Sequence, residues 1–272
     1  MQWTHHDGFH RPETIQRLAQ QSLAVLRALI AESRRPNLNG YSPSDLPASG
    51  LDQEQLDQLL AELRSLPLWQ GQGHLRPLED VYPQTPTQQG LWFQSRYAQG
   101  QGLYHVQLAL EIAQEIQLDA FRQSWHQVMQ RHPILRTSFW ERQGQEGLQL
   151  VWRELPLPFQ VQDWRGQSHD EQQEGLQAYL REERARGFAP GEEPQWRILL
   201  AQTGPQEYQL VWSAHHSILD GWSMGIVLAE ISRCYQALSQ GQAVAWKPVR
   251  PYREYVSWLE AQIGRASCRE RV

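Results

Sequence analysis

Residues 208–223 read YQLVWSAHHSILDGWS, and their pattern decides the fold. Tyr208, Leu210, Trp212 and Ala214 alternate with their neighbours, which predicts a half-buried strand. The strand runs directly into two adjacent histidines, then an aspartate four residues after the second, then a glycine. Further on, Ser223 is placed to cap a helix whose apolar face is Val227, Ile231, Cys234, Tyr235 and Leu238. His215 and His216 thus stand where a strand ends and a loop leads to a helix, a place where rigid elements fix a loop at both ends.

The histidine pair admits three readings. Adjacent side chains on an extended backbone point to opposite faces, so they chelate one ion poorly, and no HExxH pattern or cysteine partner supports zinc. The pair could simply be hydrogen-bonded residues at a strand end. Alternatively, one histidine faces the sheet interior and the other a channel, with Asp220 holding the loop and Gly221 allowing a tight backbone turn. Histidine suits such acid/base work because its unperturbed pKa lies near neutrality. Spacing alone leaves the last two readings open.

Outward from this stretch, the chain of 272 residues mixes helices and strands. Glu13 to Ser33 carries an apolar stripe of Ile15, Leu18, Ala19, Leu26, Leu29 and Ile30, which predicts a helix ended by Pro36, Asn39 and Gly40. A second helix starts after Asp52, with Gln55 three residues on and Leu56, Leu59, Leu60 and Leu63 on one face. Residues 66–83, LPLWQGQGHLRPLEDVYP, read as a Gly/Pro-rich linker, with a domain boundary inside it. Thr85, Pro86 and Gln88 open a helix through residue 97. Residues 104–112 alternate as a strand with Tyr104, Val106, Leu108, Leu110 and Ile112 on one face. A helix over 118–131 turns Phe121, Trp125 and Val128 inward and stops at Pro133. ILRTSFW and LQLVW form a hairpin, a helix covers 170–186, and WRILLA pairs with the strand at 208 across a Gly-Pro turn. Trp152, Trp196 and Trp212 fall inside these strands and are read as core. The order predicts an α/β sandwich around a mostly antiparallel or mixed sheet.

Composition excludes several classes of function. A net charge of −5 without a Lys/Arg run gives no field for nucleic acid. No apolar run reaches membrane-spanning length, the N-terminus lacks a hydrophobic signal core, and Cys234 and Cys268 make no disulfide framework. The expectation is a cytoplasmic protein.

HHSILDGWS resembles the HHxxxDG active-site motif of the condensation domains of non-ribosomal peptide synthetases. VYPQTPTQQGLWFQSRY is similar to that family's first motif, in the variant with Gln-Gln-Gly where other members carry an arginine; Gly90 stands at that place. RHPILRTSF, residues 131–139, resembles the second motif. RARGFAP, PQWRILL and the later VRPYREYVSWL resemble further segments in the same order. The resemblance spans residues 78–262 and implies the N-terminal lobe of a chloramphenicol-acetyltransferase-like α/β sandwich. It implies amide bond formation between carrier-bound thioesters in a tunnel between two lobes, with His216 at the reacting amine. His215 and Asp220 would be architectural, and Gly221 would shape the site near the thioester. Arg131, His132 and Arg136 are read as members of a satisfied structural network. No cofactor is bound directly; phosphopantetheine arms arrive on upstream and downstream peptidyl carrier domains, beside an adenylation domain of the same module.

Residues 1–66 resemble the helical close of a preceding epimerization- or condensation-type domain, YSPSDLP being typical of that end, with 67–77 as linker. IGRASCRERV, residues 263–272, follows no helical pattern and resembles a translated sequencing adapter, so it is read as foreign to the protein. The family's second lobe does not follow, so the chain alone is expected to be inactive. An acyl-CoA-dependent acyltransferase of the same fold and a non-catalytic docking fragment are the alternatives.

Overall fold

A computed structural model describes residues 9, 11–33, 40–66, 69, 77–97, 102–141, 147–191 and 194–269, with side chains described up to residue 262. Apart from Trp69 and Pro77, the expected linker at 67–77 lies outside the described residues. Two sheets organise the fold. β1 (Leu78–Pro83), β4 (Leu148–Trp152) and β3 (Thr137–Trp140) form an antiparallel sheet in the order β1-β4-β3. β2 (His105–Ile112), β7 (Tyr208–His215), β6 (Trp196–Gln202) and β5 (Phe159–Asp163) form a second, mixed sheet, in which only the β5–β6 pair is parallel.

β7 is the central strand, paired antiparallel to β2 on one side and β6 on the other. Its residues after Tyr208 are buried, as a strand covered on both faces should be. Trp152, Trp196 and Trp212 are fully buried, as their placement in strands predicts. The Trp125 ring sits 5.9 Å from that of Trp196 and 5.3 Å from that of Trp212, tying a helix to the sheet. Two of the buried indoles find partners: Trp196 Nε1 donates to the Leu135 carbonyl (2.8 Å) and Trp152 Nε1 to Ser138 Oγ (2.9 Å).

Among the described residues the long α-helices are α1 (Pro12–Ser33), α2 (Gln53–Arg64), α3 (Pro86–Tyr97), α4 (Leu118–Arg131), α5 (His169–Arg186), α6 (Gly221–Ser239) and α7 (Tyr252–Arg269). The caps that sequence marks are present. Asp52 accepts from the Gln55 N–H (2.8 Å) while Gln55 accepts from the Asp52 N–H (3.0 Å). Thr85 and Gln88 make the same reciprocal pair at the start of α3. Phe121, Trp125 and Val128 of α4 are buried as expected.

Several boundaries differ from expectation. The 66–83 segment is not all linker, because residues 78–83 form β1. There Leu78, Val81 and Tyr82 are buried around an irregularity between Leu78 and Asp80, which breaks the period of two and hides the strand from pattern reading. Residues 134–136 belong to a 3₁₀ turn that begins at Pro133, so the strand starts only at Thr137. Proline's fixed φ and missing N–H favour such a turn over a ladder. β5 is an exposed edge without strong alternation, and sequence pattern does not predict it. α7 continues through Arg269, across residues expected to follow no helical pattern, where Arg265, Ala266 and Arg269 are good helix formers.

The two halves of the N-terminal segment behave differently. Leu18, Leu26 and Leu29 of α1 are exposed. Leu56, Leu59, Leu60 and Leu63 of α2 instead join the same core cluster as Leu78, Val81 and Trp152. Tyr41 clips this segment to β1: its hydroxyl donates to the Leu78 carbonyl (2.9 Å) and accepts from the Leu78 N–H (2.8 Å). Both bonds are buried, so Tyr41→Phe strands a donor and an acceptor. The expected loss is about 1–3 kcal/mol of stability, read from urea unfolding. An unchanged midpoint would mean that residues 41–66 are not docked as described.

Candidate active site

β7 ends at His215, and Ile218 N–H donates back to the His215 carbonyl (3.2 Å), turning the chain toward α6. The two histidines part at this point. His215 is buried at 2% exposure, with its ring stacked on Trp92 at 3.9 Å and 13°. Ser217 N–H donates to His215 Nδ1 (3.2 Å), so Nδ1 is unprotonated and the ring proton sits on Nε2. Nε2 then donates to Ser95 Oγ (3.2 Å), and Ser95 gives its own hydroxyl proton to the Leu91 carbonyl (2.8 Å). Burial pushes the His215 pKa down to about 3, helped by the nearby His105 and His216 charges. His215 is therefore buried, neutral and hydrogen-bonded at both ring nitrogens.

His216 faces outward. Its side chain lines a groove of about 720 Å³, together with Leu91, His132, Ile134, Val227 and Tyr252. Its main-chain N–H donates to the Tyr104 carbonyl at 2.8 Å, one step beyond the last ladder pair, His105 with His215. One histidine inside and one in the groove matches one of the two arrangements that spacing alone leaves open.

Asp220 does hold the loop, but as a cap. It is the N-cap residue of α6; its Oδ1 accepts from Ser223 N–H (2.8 Å) and Ser223 Oγ (2.6 Å), while Ser223 Oγ accepts from Asp220 N–H (2.7 Å). The sequence assignment of Ser223 as the cap is corrected by three residues: Gly221 is already helical, so Ser223 completes a capping box instead. The Ser223 hydrogen bonds hold the Asp220 carboxyl below its usual range. Gly221 makes no tight turn. A Cβ there would meet nothing within 4 Å and its φ is not positive, so neither space nor strain demands glycine.

Two groups escape sequence reading. Gln88, in the first motif, donates from Nε2 to the Ser217 carbonyl (3.1 Å) and to Gln149 Oε1 (2.9 Å), so α3 grips the histidine loop. Glu230 on α6 receives Arg131 Nε (3.0 Å) and lies 2.6 Å from His132 Nε2. Burial works to raise the Glu230 pKa, but the bonds from His132 and Arg131 outweigh it and hold the carboxyl below its usual range. Glu230 is legible only as a charged residue one place before Ile231 on an otherwise apolar face. Arg131 and His132 are the satisfied network expected, though His132 also reaches the groove. Arg136 is structural: it is 3% exposed, its Nη1 pairs with Glu79 at 2.8 Å, and it also bonds the carbonyls of Met129, Gln130 and Trp152.

The profile of the family described as Condensation domain matches residues 78–271. The chain belongs to the condensation domain family. Over 262 residues it is 38% identical to a linear gramicidin synthase subunit of Brevibacillus parabrevis, covering 96% of this chain and 5% of that one. It is 29% identical to a mycosubtilin synthase subunit of Bacillus subtilis, covering 93% of this chain and 9% of that one. The chain thus spans about 5% of the length of the first relatives it matches. Among solved structures, the starter condensation domain of rhizomide synthetase RzmA superposes with a TM-score of 0.60 at 19% identity, over 67% of this chain and 45% of that chain. The four-domain non-ribosomal peptide synthetase AB3403, bound to AMP and glycine, superposes with a TM-score of 0.55 at 22% identity, over 70% of this chain and 14% of that chain. These likenesses carry the fold, a chloramphenicol-acetyltransferase-like sandwich. In this condensation domain the HHxxxDG residues divide into a buried histidine, a groove histidine and a helix cap.

The neutral histidines set a pH dependence. In the unfolded chain His105 and His215 protonate near 6.5, whereas in the fold burial holds them down to about 4 and about 3. As pH falls below about 6.5 the unfolded state gains protons that the native state does not, so stability falls. His215→Gln should flatten this loss between pH 7 and pH 5 in urea titrations. The same pH slope in variant and wild type would show that His215 is not held neutral.

Proposed function

We propose that this chain is the N-terminal lobe of a condensation domain that forms an amide bond between two carrier-bound substrates. The carrying observation is the placement of His216, alone of the motif pair, in the groove. An amine nitrogen on the acceptor attacks the donor thioester carbonyl; a C–N bond forms, the C–S bond breaks, and the amine proton ends on the departing thiolate. The His216 imidazole accepts a hydrogen bond from the amine and orients it for attack. A positioning role fits the site better than a carboxylate-assisted base, since the described hydrogen bonds of the Asp220 carboxylate run between its Oδ1 and Ser223 and none joins it to the His216 ring. Holding two reactants at attack distance is itself worth several powers of ten.

The substrates arrive as thioesters on phosphopantetheine arms of upstream and downstream peptidyl carrier domains, with an adenylation domain in the same module. A groove lined by apolar Leu91, Ile134, Leu219, Val227 and Tyr252 together with polar Thr85, Gln88 and Ser217 suits such long arms, in which amide groups alternate with short hydrocarbon links. No helix among the described residues is long and apolar enough to cross a membrane, and we place the protein in the cytoplasm. The resemblance alone supports a place for Gly221 near the reacting thioester, since Gly221 is not among the residues that line the groove. Residues 1–66 are read as the close of a preceding condensation-type or epimerization domain; the exposed leucines of α1 support this for residues 12–33, whereas α2 packs into the core shared with β1.

The chain supplies one wall of the chamber. The match to the rhizomide starter domain covers 45% of that chain, and Trp222, Ile226 and Trp258, on the helices bordering the groove, are left exposed at 87%, 58% and 56%. Without the second lobe the groove can neither exclude water nor align two tethered arms. Given both loaded carriers, the chain by itself is expected to give no product, and turnover would overturn the one-lobe reading. In the complete synthetase, His216→Ala should lower amide formation by roughly 10²-fold or more while carrier binding persists. Unchanged product would instead favour a scaffold, and acyl transfer from free acyl-CoA would favour an acyltransferase.

A further inference from the structure

Tyr104 is the one described residue other than glycine with a positive φ, at +59°. It sits at the third position of the turn Gly102–Leu103–Tyr104–His105, closed by the His105 N–H donating to the Gly102 carbonyl (3.2 Å). A turn that needs a positive φ at this position ordinarily takes glycine or asparagine, because a Cβ crowds the backbone there. A bulky side chain in that conformation persists only where its surroundings enforce it, and such outliers gather at functional sites. The sequence expectation that Tyr104 begins the strand fails for this reason: the strand starts at His105 and Tyr104 belongs to the turn.

The turn is pinned on its other side. Gly102 also has a positive φ (+62°), and a Cβ added to it would lie 2.3 Å from Arg184 Cγ, so the loop is pressed against α5. Within this constraint the Tyr104 carbonyl receives the His216 N–H at 2.8 Å. The Tyr104 ring lines the same groove as His216, and its hydroxyl donates to Gln94 Oε1 on α3. One residue therefore joins the β2 turn, the α3 wall and the main chain of the groove histidine.

We propose that Tyr104 is a positioning residue for His216: its left-handed backbone presents the carbonyl that anchors the His216 main chain, and its tethered ring bounds the groove at the imidazole. The energetic reading is that a conformational penalty at Tyr104 is retained because the ring is needed at that spot. Glycine would satisfy the turn but not the groove. The proposal rests on the reading of His216 as the residue that orients the amine.

Three variants test it, Tyr104→Gly, Tyr104→Asn and Tyr104→Phe. Glycine and asparagine suit the backbone and remove the ring, whereas phenylalanine keeps the ring and loses only the Gln94 bond. In the 272-residue chain labelled with ¹⁵N-histidine, the His216 signals are assigned by their loss in His216→Ala. Tyr104→Gly and Tyr104→Asn should fold with melting temperatures near or above wild type, yet shift the His216 ring signals. Tyr104→Phe should shift them less. In the complete synthetase the first two should lower kcat roughly 10- to 100-fold with little change in KM for the carriers, and Tyr104→Phe should recover most of that loss. Wild-type His216 signals and kcat in both ring-less variants would overturn the proposal. If Tyr104→Gly fails to fold, Tyr104→Asn decides. If His216→Ala itself leaves kcat unchanged, the amine-orienting function falls, while the ring signals still judge the link between Tyr104 and His216.

Discussion

On an extended strand, consecutive side chains point to opposite faces, and at the end of β7 this sends His215 inward and His216 outward. The rest of the site follows from that division. β7 is held by ladders on both sides, so the register that fixes His215 against His105 also fixes where His216 emerges. A slip of one residue would exchange the two rings, putting a groove side chain into the core. Burial of the inner ring then decides its chemistry. Stacked on Trp92 and receiving the Ser217 N–H, His215 stays neutral and acts as a hydrogen-bonding strut. The outer ring keeps access to the groove.

The loop between β7 and α6 is short and is gripped at three points. Gln88 holds the Ser217 carbonyl, Tyr104 holds the His216 N–H, and Asp220 with Ser223 locks the start of α6. Each grip comes from a different part of the chain, which is why the first-motif glutamine and the HHxxxDG loop act as one unit. Glu230 adds a fourth tie by drawing Arg131 and His132 of the second motif onto α6. A buried carboxylate bonded to Arg131 and His132, with Arg233 3.8 Å away, is fully engaged, and a fully engaged polar cluster gives a rigid wall where a partly satisfied one would destabilise the fold. Three sequence motifs that look independent thus converge on the groove through polar contacts, while the tryptophan cluster beneath supplies the packing.

Much of the fold is legible where local chemistry is self-contained. The boxes at Asp52 and Thr85 and the apolar faces of α2, α4 and α6 each depend on residues three or four apart, and they form as read. β7 and β6 alternate or run apolar as buried strands do. β1 and β5 escape pattern reading because their partners, β4 and β6, lie far away in sequence, and an irregular or exposed strand carries little pattern of its own. The same limit explains the strand start at His105: nothing local marks Tyr104 as left-handed, and local preference argues against it. Asp220 as cap is within reach of the sequence, since an aspartate followed three residues later by a serine is a capping signal. The more obvious serine draws the assignment instead.

The sequence by itself determined the α/β alternation, the caps at Asp52 and Thr85 and the order of the condensation motifs, because these are set by spacing along the chain. Only the tertiary structure decided that α2 belongs to the core, that Gln88 and Glu230 brace the site, and that Tyr104 accepts strain to hold His216. Those are contacts between residues tens to more than a hundred positions apart. Their partners are chosen by how the sheets and helices stack, and no window of sequence contains both members of such a pair.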